Sequence, residues 1–306
     1  MLRFSSQTGF YQGKVRDIYS IGEDYLVIVS TNRISAFDHI LRQEIPYKGQ
    51  VLNQIAAYFL EQTKEIVPNH YLGSPVPNVT VAVRCEPFPI EVVVRAYLAG
   101  HAWREYKLGK RTLSGVPLPE GMRQSDKFPE PIITPTTKSK IGHDIDISAE
   151  EIIKSGLVED FEWAQIQDYA LKLFEKGTQM AQERGLILVD TKYEFGVDKK
   201  GNILLIDEVH TPDSSRYFMA QSYYERQAQG LPQVQLSKEF VREWLIKHGF
   251  QGLEGQTLPD LPPQFVQEVS KRYIELYELL TGKTFIPQDY SESQIQSAVE
   301  AFLSTL

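Results

Sequence analysis

Alternating charged residues, Asp190, Lys192 and Glu194, follow an apolar stretch of the chain. If this stretch is a β-strand, alternate side chains share one face and the three charges lie side by side. A second apolar run ends in Asp207 and Glu208, and antiparallel pairing would bring Asp207 near Lys192 or Glu194. Carboxylates from adjacent strands provide hard oxygen ligands, which suit Mg²⁺ together with substrate phosphates. The alternative is a ladder of cross-strand salt bridges on a solvated face.

A glycine-flanked segment near the N-terminus, residues 9–17 (GFYQGKVRD), carries Lys14 and Arg16. A glycine turn lets the backbone approach a phosphate, and a neighbouring lysine can meet its charge. The segment lacks the spacing and the Lys-Ser/Thr ending of a Walker A loop. It therefore indicates either a phosphate-binding turn or an ordinary hairpin turn with exposed basic side chains.

Arg95 interrupts another apolar run, so it either pairs with an acid in the protein or contacts a ligand. The planar fork of arginine suits phosphate or carboxylate. The run ends at Gly100, and a helix that begins at His101 would present free N–H groups to an anion. Residues 213–216 (DSSR) add two hydroxyls and a guanidinium. The alternatives are a buried ion pair for Arg95 and a helix cap at 213–216.

A stretch rich in Pro, Gly, Thr and Lys, residues 113–147, predicts a long irregular segment and contains the pair His143 and Asp144. A His-Asp pair could serve a hydrolase. However, the sequence has no Gly-x-Ser-x-Gly elbow, and its single cysteine, Cys85, lies in a β-like run without a nearby base. We therefore do not expect a hydrolase triad.

The spacing of apolar residues indicates the elements that position these side chains. Short, partly β-branched runs predict strands at 25–30, 79–84, 90–98, 186–195 and 202–209, the last two forming a hairpin through 196–201. Apolar residues at steps of three and four predict helices from 49 to before 68 and near 237–248, 263–280 and 291–304. Capping signals at 148–151 and 159–160 open two further helices, the second ending near 184.

The chain has 306 residues and a formal net charge of −8. This length predicts two domains, or one large α/β body with an appendage. The acidic excess argues against a general nucleic-acid binder. One cysteine excludes an intrachain disulfide and suits a reducing compartment. No segment has the apolar length of a signal peptide or a membrane span, so we expect a cytoplasmic protein without nucleic-acid or membrane partners.

Six ordered motifs resemble the SAICAR synthetase family of purine biosynthesis. They are residues 13–19 (GKVRDIY), 30–38 (STNRISAFD), 45–49 (IPYKG), 89–95 (PIEVVVR), 188–196 (LVDTKYEFG) and 207–216 (DEVHTPDSSR). The Asp-x-Lys-x-Glu-Phe-Gly block within residues 188–196 is a specific motif of this family. One position departs from the family, because His101 stands where the family usually has serine after the glycine. If that serine binds substrate phosphate, the His101 ring or its backbone N–H must replace the hydroxyl.

The resemblance implies an α+β fold with a small N-terminal antiparallel β domain and a larger α+β domain. ATP would lie in a cleft between them, and the C-terminal helices would pack on the body. We expect an ATP-phosphate-binding lobe over 1–90, a catalytic domain over 91–220, and a helical extension over 221–306 packed on the catalytic body.

The resemblance also implies the reaction: ATP, L-aspartate and carboxyaminoimidazole ribonucleotide give SAICAR, ADP and phosphate, with an acyl phosphate as intermediate and Mg²⁺ as metal. By similarity, the catalytic residues are Lys14, Asp144, Glu194 and Asp207, of which Glu194 and Asp207 hold the metal. ATP would contact Gly13, Lys14, Arg16, Arg84, Cys85, Glu86, Glu194 and Asp207. The ribonucleotide and aspartate would contact Arg95, Gly100, His101, Lys138, His143, Asp144, Lys192, Ser215 and Arg216. We expect only small-molecule partners, and a monomer or small homo-oligomer.

Two other functions share the ATP site. A small-molecule kinase would form a phosphorylated product without any amine. A nucleotide-binding regulator that has lost catalysis would lack the metal pair, whereas Glu194 and Asp207 are both present.

Overall fold

The computed structural model describes residues 2–138 and 145–306. These residues form two compact units that each draw on separate parts of the chain. Unit 1 comprises the chain up to Gln62, His70–Cys85 and Phe240–Leu306, and unit 2 comprises Thr63–Asn69 and Glu86–Glu239. The expected three-part division at residues 90 and 220 stays a prediction.

Unit 1 is built on a five-stranded antiparallel sheet. Its elements before residue 85 are β1 (Gln7–Gln12), β2 (Arg16–Ile21), β3 (Tyr25–Ser30), the short hairpin β4 (Ser35–Ala36) and β5 (His39–Ile40), α1 (Lys48–Thr63), β6 (Tyr71–Val76) and β7 (Val79–Val83). The strand order in the sheet is β1-β2-β3-β7-β6. The predicted strands at 25–30 and 79–84 and the helix after 49 are confirmed. The apolar run of β3 occupies the middle of the sheet, where both faces are covered.

Unit 2 is built on a larger sheet around one long strand. Its elements are β8 (Glu86–Pro87), β9 (Ile90–Tyr97), α2 (Gly100–Lys107), β10 (Thr112–Leu113), β11 (Val116–Pro117), β12 (Lys127–Ile133), β13 (Thr136–Thr137), α3 (Ala149–Lys154), α4 (Asp160–Gln182), β14 (Leu186–Val197), β15 (Ile203–Ile206), β16 (Ser215–Met219) and α5 (Ala220–Ala228). The main strand order is β12-β9-β14-β15, and β16 and β8 also pair with β14. The predicted hairpin is therefore confirmed as β14 and β15.

Helix α4 covers one face of this sheet, because its buried residues recur at helical spacing from Trp163 to Ala181. Gly177 allows a close approach, since a Cβ there would lie 2.0 Å from Cε1 of His210. The buried His210 ring in turn lies 2.6 Å from the Tyr193 hydroxyl. Helix α4 thus packs tightly on the face of the sheet opposite to the charged side chains of β14.

Three helices complete the chain: α6 (Glu239–Lys247), α7 (Pro263–Thr281) and α8 (Glu292–Leu303). All three are predicted by the apolar spacing. Helix α8 packs on the unit 1 sheet, where Val299 joins the core with Val27 and Val81. Gly73 on β6 makes room for this helix, because a Cβ there would lie 2.5 Å from the Phe302 ring.

The stretch at 113–147 is less irregular than its composition predicts. It contains β12, which pairs with β9 despite Pro129 and Pro131. The pairing is irregular between Lys127 and Ile132, and β12 is the first strand in the order β12-β9-β14-β15, so the missing proline donors are tolerated. Most of the shorter strands were not predicted either, and neither were β1, β2, β6, which contains Pro75, or β16.

Within the part of the chain that the structure describes, no helix combines the length and the apolarity that crossing a membrane requires.

Candidate functional site

The charged face of β14 carries a cluster of two lysines and two glutamates. The Lys192 ammonium lies 2.7 Å from the Glu194 carboxylate and 2.6 Å from that of Glu91 on β9. Lys138, which follows β13, donates to the other carboxylate oxygen of Glu194. The sheet positions these groups, since Lys192 stands opposite Val93 in the β9–β14 ladder. The cross-strand salt bridge between Lys192 and Glu91 that the sequence left open is present, but the Glu194 side chain is only 8% exposed, so this part of the face is buried.

Opposite charges, and not solvent, set the ionisation of this cluster. Burial alone would raise the pKa of Glu194, but the positive charges of Lys192 and Lys138 lower it well below the ordinary range of a carboxyl. Burial would lower the pKa of Lys192, and the charges of Glu194, Glu91 and Asp207 raise it well above its usual value. Glu194 and Lys192 are therefore charged at neutral pH.

Asp207 extends the cluster at the end of β15. Ile206 pairs with Glu194, so Asp207 comes one residue beyond that pair, with a left-handed φ of 66°. Its charge acts on both Lys192 and Lys138. The expected proximity of Asp207 to Lys192 is thus confirmed. Among residues 2–138 and 145–306, no three or more His, Cys, Asp or Glu side chains are grouped as a metal site. Two carboxylates fit a Mg²⁺ ion that takes its remaining ligands from substrate phosphates and water.

A second cluster, of arginines and acids, lies at the other end of the same strand. Asp190 on β14 accepts from Arg95 at 3.1 Å and from Arg216 at 2.6 Å. Glu239 at the start of α6 accepts from Arg216 at 2.7 Å and from Arg104 of α2 at 3.2 Å. We call these five residues the arginine cluster. Three guanidinium groups and two carboxylates leave it one positive charge in excess.

The members of the arginine cluster differ in exposure. The Arg95 side chain is 5% exposed and also donates to Thr134 at 2.8 Å, so the buried ion pair that the sequence offered as an alternative is present. Arg216 is 12% exposed, and its Nε is buried without a hydrogen-bond partner among the described residues. Burial would lower the pKa of Arg216, but Asp190 and Glu239 raise it above its usual range. Arg216 therefore keeps its positive charge, and its Nε–H is available to donate to a ligand.

Helix α2 begins beside Arg216. Gly100 has a φ of +56°, and a Cβ at this position would lie 2.0 Å from Nη2 of Arg216. Its preceding residue, Ala99, provides no side-chain cap. The first turn of α2 therefore brings backbone N–H donors and a guanidinium to the same place, an arrangement suited to an anion.

His101, the second residue of α2, is paired with Asp146. Its Nε2 lies 2.9 Å from one carboxylate oxygen of Asp146 and 3.1 Å from the other. The His101 side chain is 39% exposed. The position that departs from the family's serine is thus occupied by a histidine with an acidic partner.

The predicted ATP-binding residues of unit 1 surround the β1–β2 turn. The Gly13 N–H donates to the Arg16 carbonyl at 2.8 Å, and Arg33 donates to the carbonyls of Gly13 and Lys14. The Lys14 ammonium, half exposed, pairs with the Asp38 carboxylate. The segment therefore forms a hairpin turn, one of the two alternatives that the sequence left open, and this turn carries an accessible lysine.

The remaining predicted residues lie in different surroundings. Arg84 and Cys85 follow β7, and Glu86 begins β8 opposite Val197. Ser215 is buried and shares a hydrogen bond of 2.7 Å with Thr191. His143 and Asp144 lie outside the described residues. The sequence did not single out Glu91, Arg104, Asp146 or Glu239 as site residues, because each meets its partner only through the tertiary fold.

Together the two clusters define a class of protein. Ammonium groups around paired carboxylates suit phosphoryl transfer, and a separate guanidinium subsite suits a second anion. This combination is typical of enzymes that use ATP to activate an anionic substrate. Residues 9–256 match the model of the SAICAR synthetase family. The chain is 57% identical over 304 residues, 98% of this chain and 96% of the relative, to the phosphoribosylaminoimidazole-succinocarboxamide synthase of Bacteroides thetaiotaomicron. It is 46% identical over 280 residues, 90% and 88% of the two chains, to that of Legionella pneumophila.

Solved structures agree. SAICAR synthase from Saccharomyces cerevisiae, complexed with SAICAR, superimposes with a TM-score of 0.77 at 34% identity, covering 90% of this chain and 96% of that one. A SAICAR synthetase in complex with ADP gives 0.70 at 26% identity, with coverage of 91% and 100%. The chain belongs to the SAICAR synthetase family, the ATP-dependent carbon–nitrogen ligases of purine biosynthesis. The family resemblance and the α+β fold class inferred from the motifs are both confirmed.

Proposed function

We propose that this protein joins L-aspartate to carboxyaminoimidazole ribonucleotide with consumption of ATP, and that the reaction passes through an acyl phosphate. Membership of the family supports the overall reaction. The placement of both clusters on one strand supports the assignment of one cluster to the substrate phosphate and of the other to the reacting carboxylate. Asp190 of the arginine cluster and Glu194 of the lysine–glutamate cluster are four residues apart on β14, roughly 13 Å along an extended strand. A ribonucleotide can therefore place its phosphate at one cluster and its carboxylate towards the other.

The substrate carboxylate needs activation because an ionised carboxylate is a poor electrophile. Transfer of the γ-phosphoryl group of ATP to a carboxylate oxygen forms the acyl phosphate and releases ADP. The aspartate amine then attacks the carbonyl carbon, the amide forms, and phosphate leaves with the C–O bond electrons. Negative charges approach one another in the first step, and Lys138 and Lys192, both held as cations, would offset them.

Glu194 and Asp207 are the residues that would hold Mg²⁺. The donor set fits, since Glu194 is ionised and Asp207 lies near the same lysines. When bound, the metal would supply positive charge to the ATP phosphates. Lys14 would contact the phosphates from the β1–β2 turn, with Gly13 and Arg16 forming that turn, and the segment 84–86 would contact the adenine.

Arg216, Gly100 and His101 would bind the ribonucleotide phosphate. The unpartnered Nε of Arg216 and the uncapped first turn of α2 support this role. Arg95 would act on this subsite through Asp190, which it shares with Arg216. Ser215 and the pair His143 and Asp144 stay predicted contacts of the ribonucleotide or aspartate.

The test is the dependence of ADP release on each substrate. We expect the purified protein to release ADP in step with SAICAR, identified by its mass, only when ATP, the ribonucleotide and L-aspartate are all present. ADP release with the ribonucleotide alone, accompanied by a stable phosphorylated product, would instead identify a kinase. Cytoplasmic location and a monomeric or small homo-oligomeric state stay predictions.

A further inference from the structure

Arg33 holds the β1–β2 turn from one side. Its Nε donates to the Lys14 carbonyl at 3.2 Å, and its Nη2 donates to the Gly13 carbonyl at 3.1 Å. The same Nη2 also donates to the Asp17 carboxylate at 2.7 Å, which fixes the guanidinium beside β2. The Arg33 side chain is only 19% exposed. The donors of this arginine thus hold the backbone of the turn against the strand that follows it.

The next carbonyl of the turn is held from the same side. The Val15 carbonyl accepts from the Thr31 N–H at 3.0 Å and from the Thr31 hydroxyl at 2.8 Å. The carbonyls of residues 13, 14 and 15 therefore all face the segment 31–33. In a planar trans peptide, the C=O of one residue and the N–H of the next point in opposite directions. The N–H groups of Lys14 and Val15 therefore point away from Arg33.

These two N–H groups are available to a ligand. Neither of them donates to another group among the residues that the structure describes. Lys14 is exposed and Val15 is partly exposed. Successive backbone N–H groups in a turn form a concave donor site for anions. The turn thus presents two backbone donors on the residue that carries the Lys14 ammonium and on its neighbour.

Resting on the function proposed above, we propose that Arg33 is a positioning residue, which orients the peptides of the β1–β2 turn so that the N–H groups of Lys14 and Val15 bind the phosphates of ATP. Arg33 acts on the nucleotide through these N–H groups. The planar fork of arginine suits this task, because its Nε and Nη2 reach two neighbouring carbonyls at once. The ammonium of a lysine is a single point charge and cannot reproduce this geometry.

Nuclear magnetic resonance of the isotope-labelled wild type tests the two backbone donors without catalysis. We expect the amide proton signals of Lys14 and Val15 to move downfield when ADP and Mg²⁺ are added, because a hydrogen bond to phosphate forms. Adenosine, which lacks phosphates, should leave both signals in place. ADP binding that leaves the two amide signals unchanged would overturn the proposal, and this measurement needs no variant.

Arg33→Lys tests the positioning role, because it keeps the positive charge and removes the fork. We expect it to weaken ADP binding about tenfold, the size of one hydrogen bond to a charged group, and to change the affinity for adenosine by less than about twofold. Calorimetric titration measures both affinities. Arg42→Lys is the matched control, since Arg42 is 64% exposed and donates to the Asp260 carboxylate within the same unit.

The outcomes separate the two proposals. Wild-type ADP affinity in Arg33→Lys would show that the charge alone suffices, and an equal loss of ADP and adenosine affinity would show general damage to the unit. Either result overturns the positioning role while the ligase function stands. A wild-type protein that binds neither ADP nor ATP rejects both proposals.

Discussion

Glu194→Gln separates the stabilising role of the lysine–glutamate cluster from its catalytic role. The substitution keeps the shape of the side chain and removes its charge. Lys192 also pairs with Glu91, at 2.6 Å against 2.7 Å for Glu194, so Glu91→Gln removes an equivalent ion pair. Glu91 is not among the residues that would hold the metal. Both variants therefore remove an ion pair of Lys192, but Glu194→Gln also removes the ion pair with Lys138, and only Glu194 has the proposed metal-binding role.

The expected loss of stability follows from the geometry. Two unit charges 2.7 Å apart attract by about 6 kcal/mol at an effective dielectric constant of about 20. Desolvation of the buried ions offsets part of this, and the glutamine oxygen still accepts a hydrogen bond from the lysine. We expect Glu91→Gln to lower the free energy of unfolding by about 3 kcal/mol, and Glu194→Gln by at least as much because it also loses the ion pair with Lys138. Urea unfolding at pH 7 measures this.

The pH dependence of that loss has a definite sign. The pKa of Glu194 is lower in the folded than in the unfolded protein, so its stabilisation is complete above the unfolded value of about 4.3 and is lost as the pH falls below it. The difference in unfolding free energy between wild type and Glu194→Gln should therefore stay constant from pH 8 to 6 and shrink below about pH 4.

Turnover distinguishes the variants. We expect Glu194→Gln to lower kcat by about 100-fold or more at saturating Mg²⁺ and substrates, because it removes a charge that would hold the metal. Glu91→Gln should retain kcat within about tenfold, since it leaves both proposed metal ligands in place. ADP release measures both. If the two variants lose turnover equally, the cluster acts only as structural support and Glu194 is not a metal ligand.

Three further changes test other parts of the site. Lys14→Met should raise the KM for ATP with a change in unfolding free energy below about 1 kcal/mol, because its ion pair is half exposed; an unchanged KM would remove Lys14 from the ATP site. Gly100→Ala should raise the ribonucleotide KM, because its Cβ would displace the Arg216 guanidinium, whereas Gly109→Ala, equally left-handed but with nothing within 4 Å, should not. Burial lowers the pKa of His210 to about 3, so this group should reduce the free energy of unfolding by about 1.4 kcal/mol per pH unit as the pH falls from about 6.5 to about 3, and urea unfolding of His210→Gln should show a shallower slope over that range.

The central hairpin could be predicted because its signals are local. Two apolar runs and a turn of glycine, aspartate and lysine fix β14 and β15, and the period of two places Lys192 and Glu194 on one face. The sequence left open whether these charges form a metal site or a ladder of salt bridges on a solvated face. Their partner Glu91 could not be predicted, because it is 101 residues away and meets Lys192 only through the ladder with β9.

The same distinction explains the arginine cluster. Arg95 and Arg216 could be identified from an interrupted apolar run and from the family motifs. Glu239 carries no local signal beyond an acid in the first turn of a helix, which is common. The packing of α8 on the unit 1 sheet depends on Gly73, whose role appears only when the Phe302 ring lies against it. Local sequence propensity predicts that these helices and strands form, but the residues that they contact depend on the tertiary fold.

The acidic partners of the cationic residues have two opposite effects on the binding of anionic substrates by this chain of charge −8. A buried guanidinium without a partner would be very costly in the absence of ligand, so Asp190 and Glu239 stabilise the empty site. They also weaken its attraction for phosphate, because only one positive charge remains in excess.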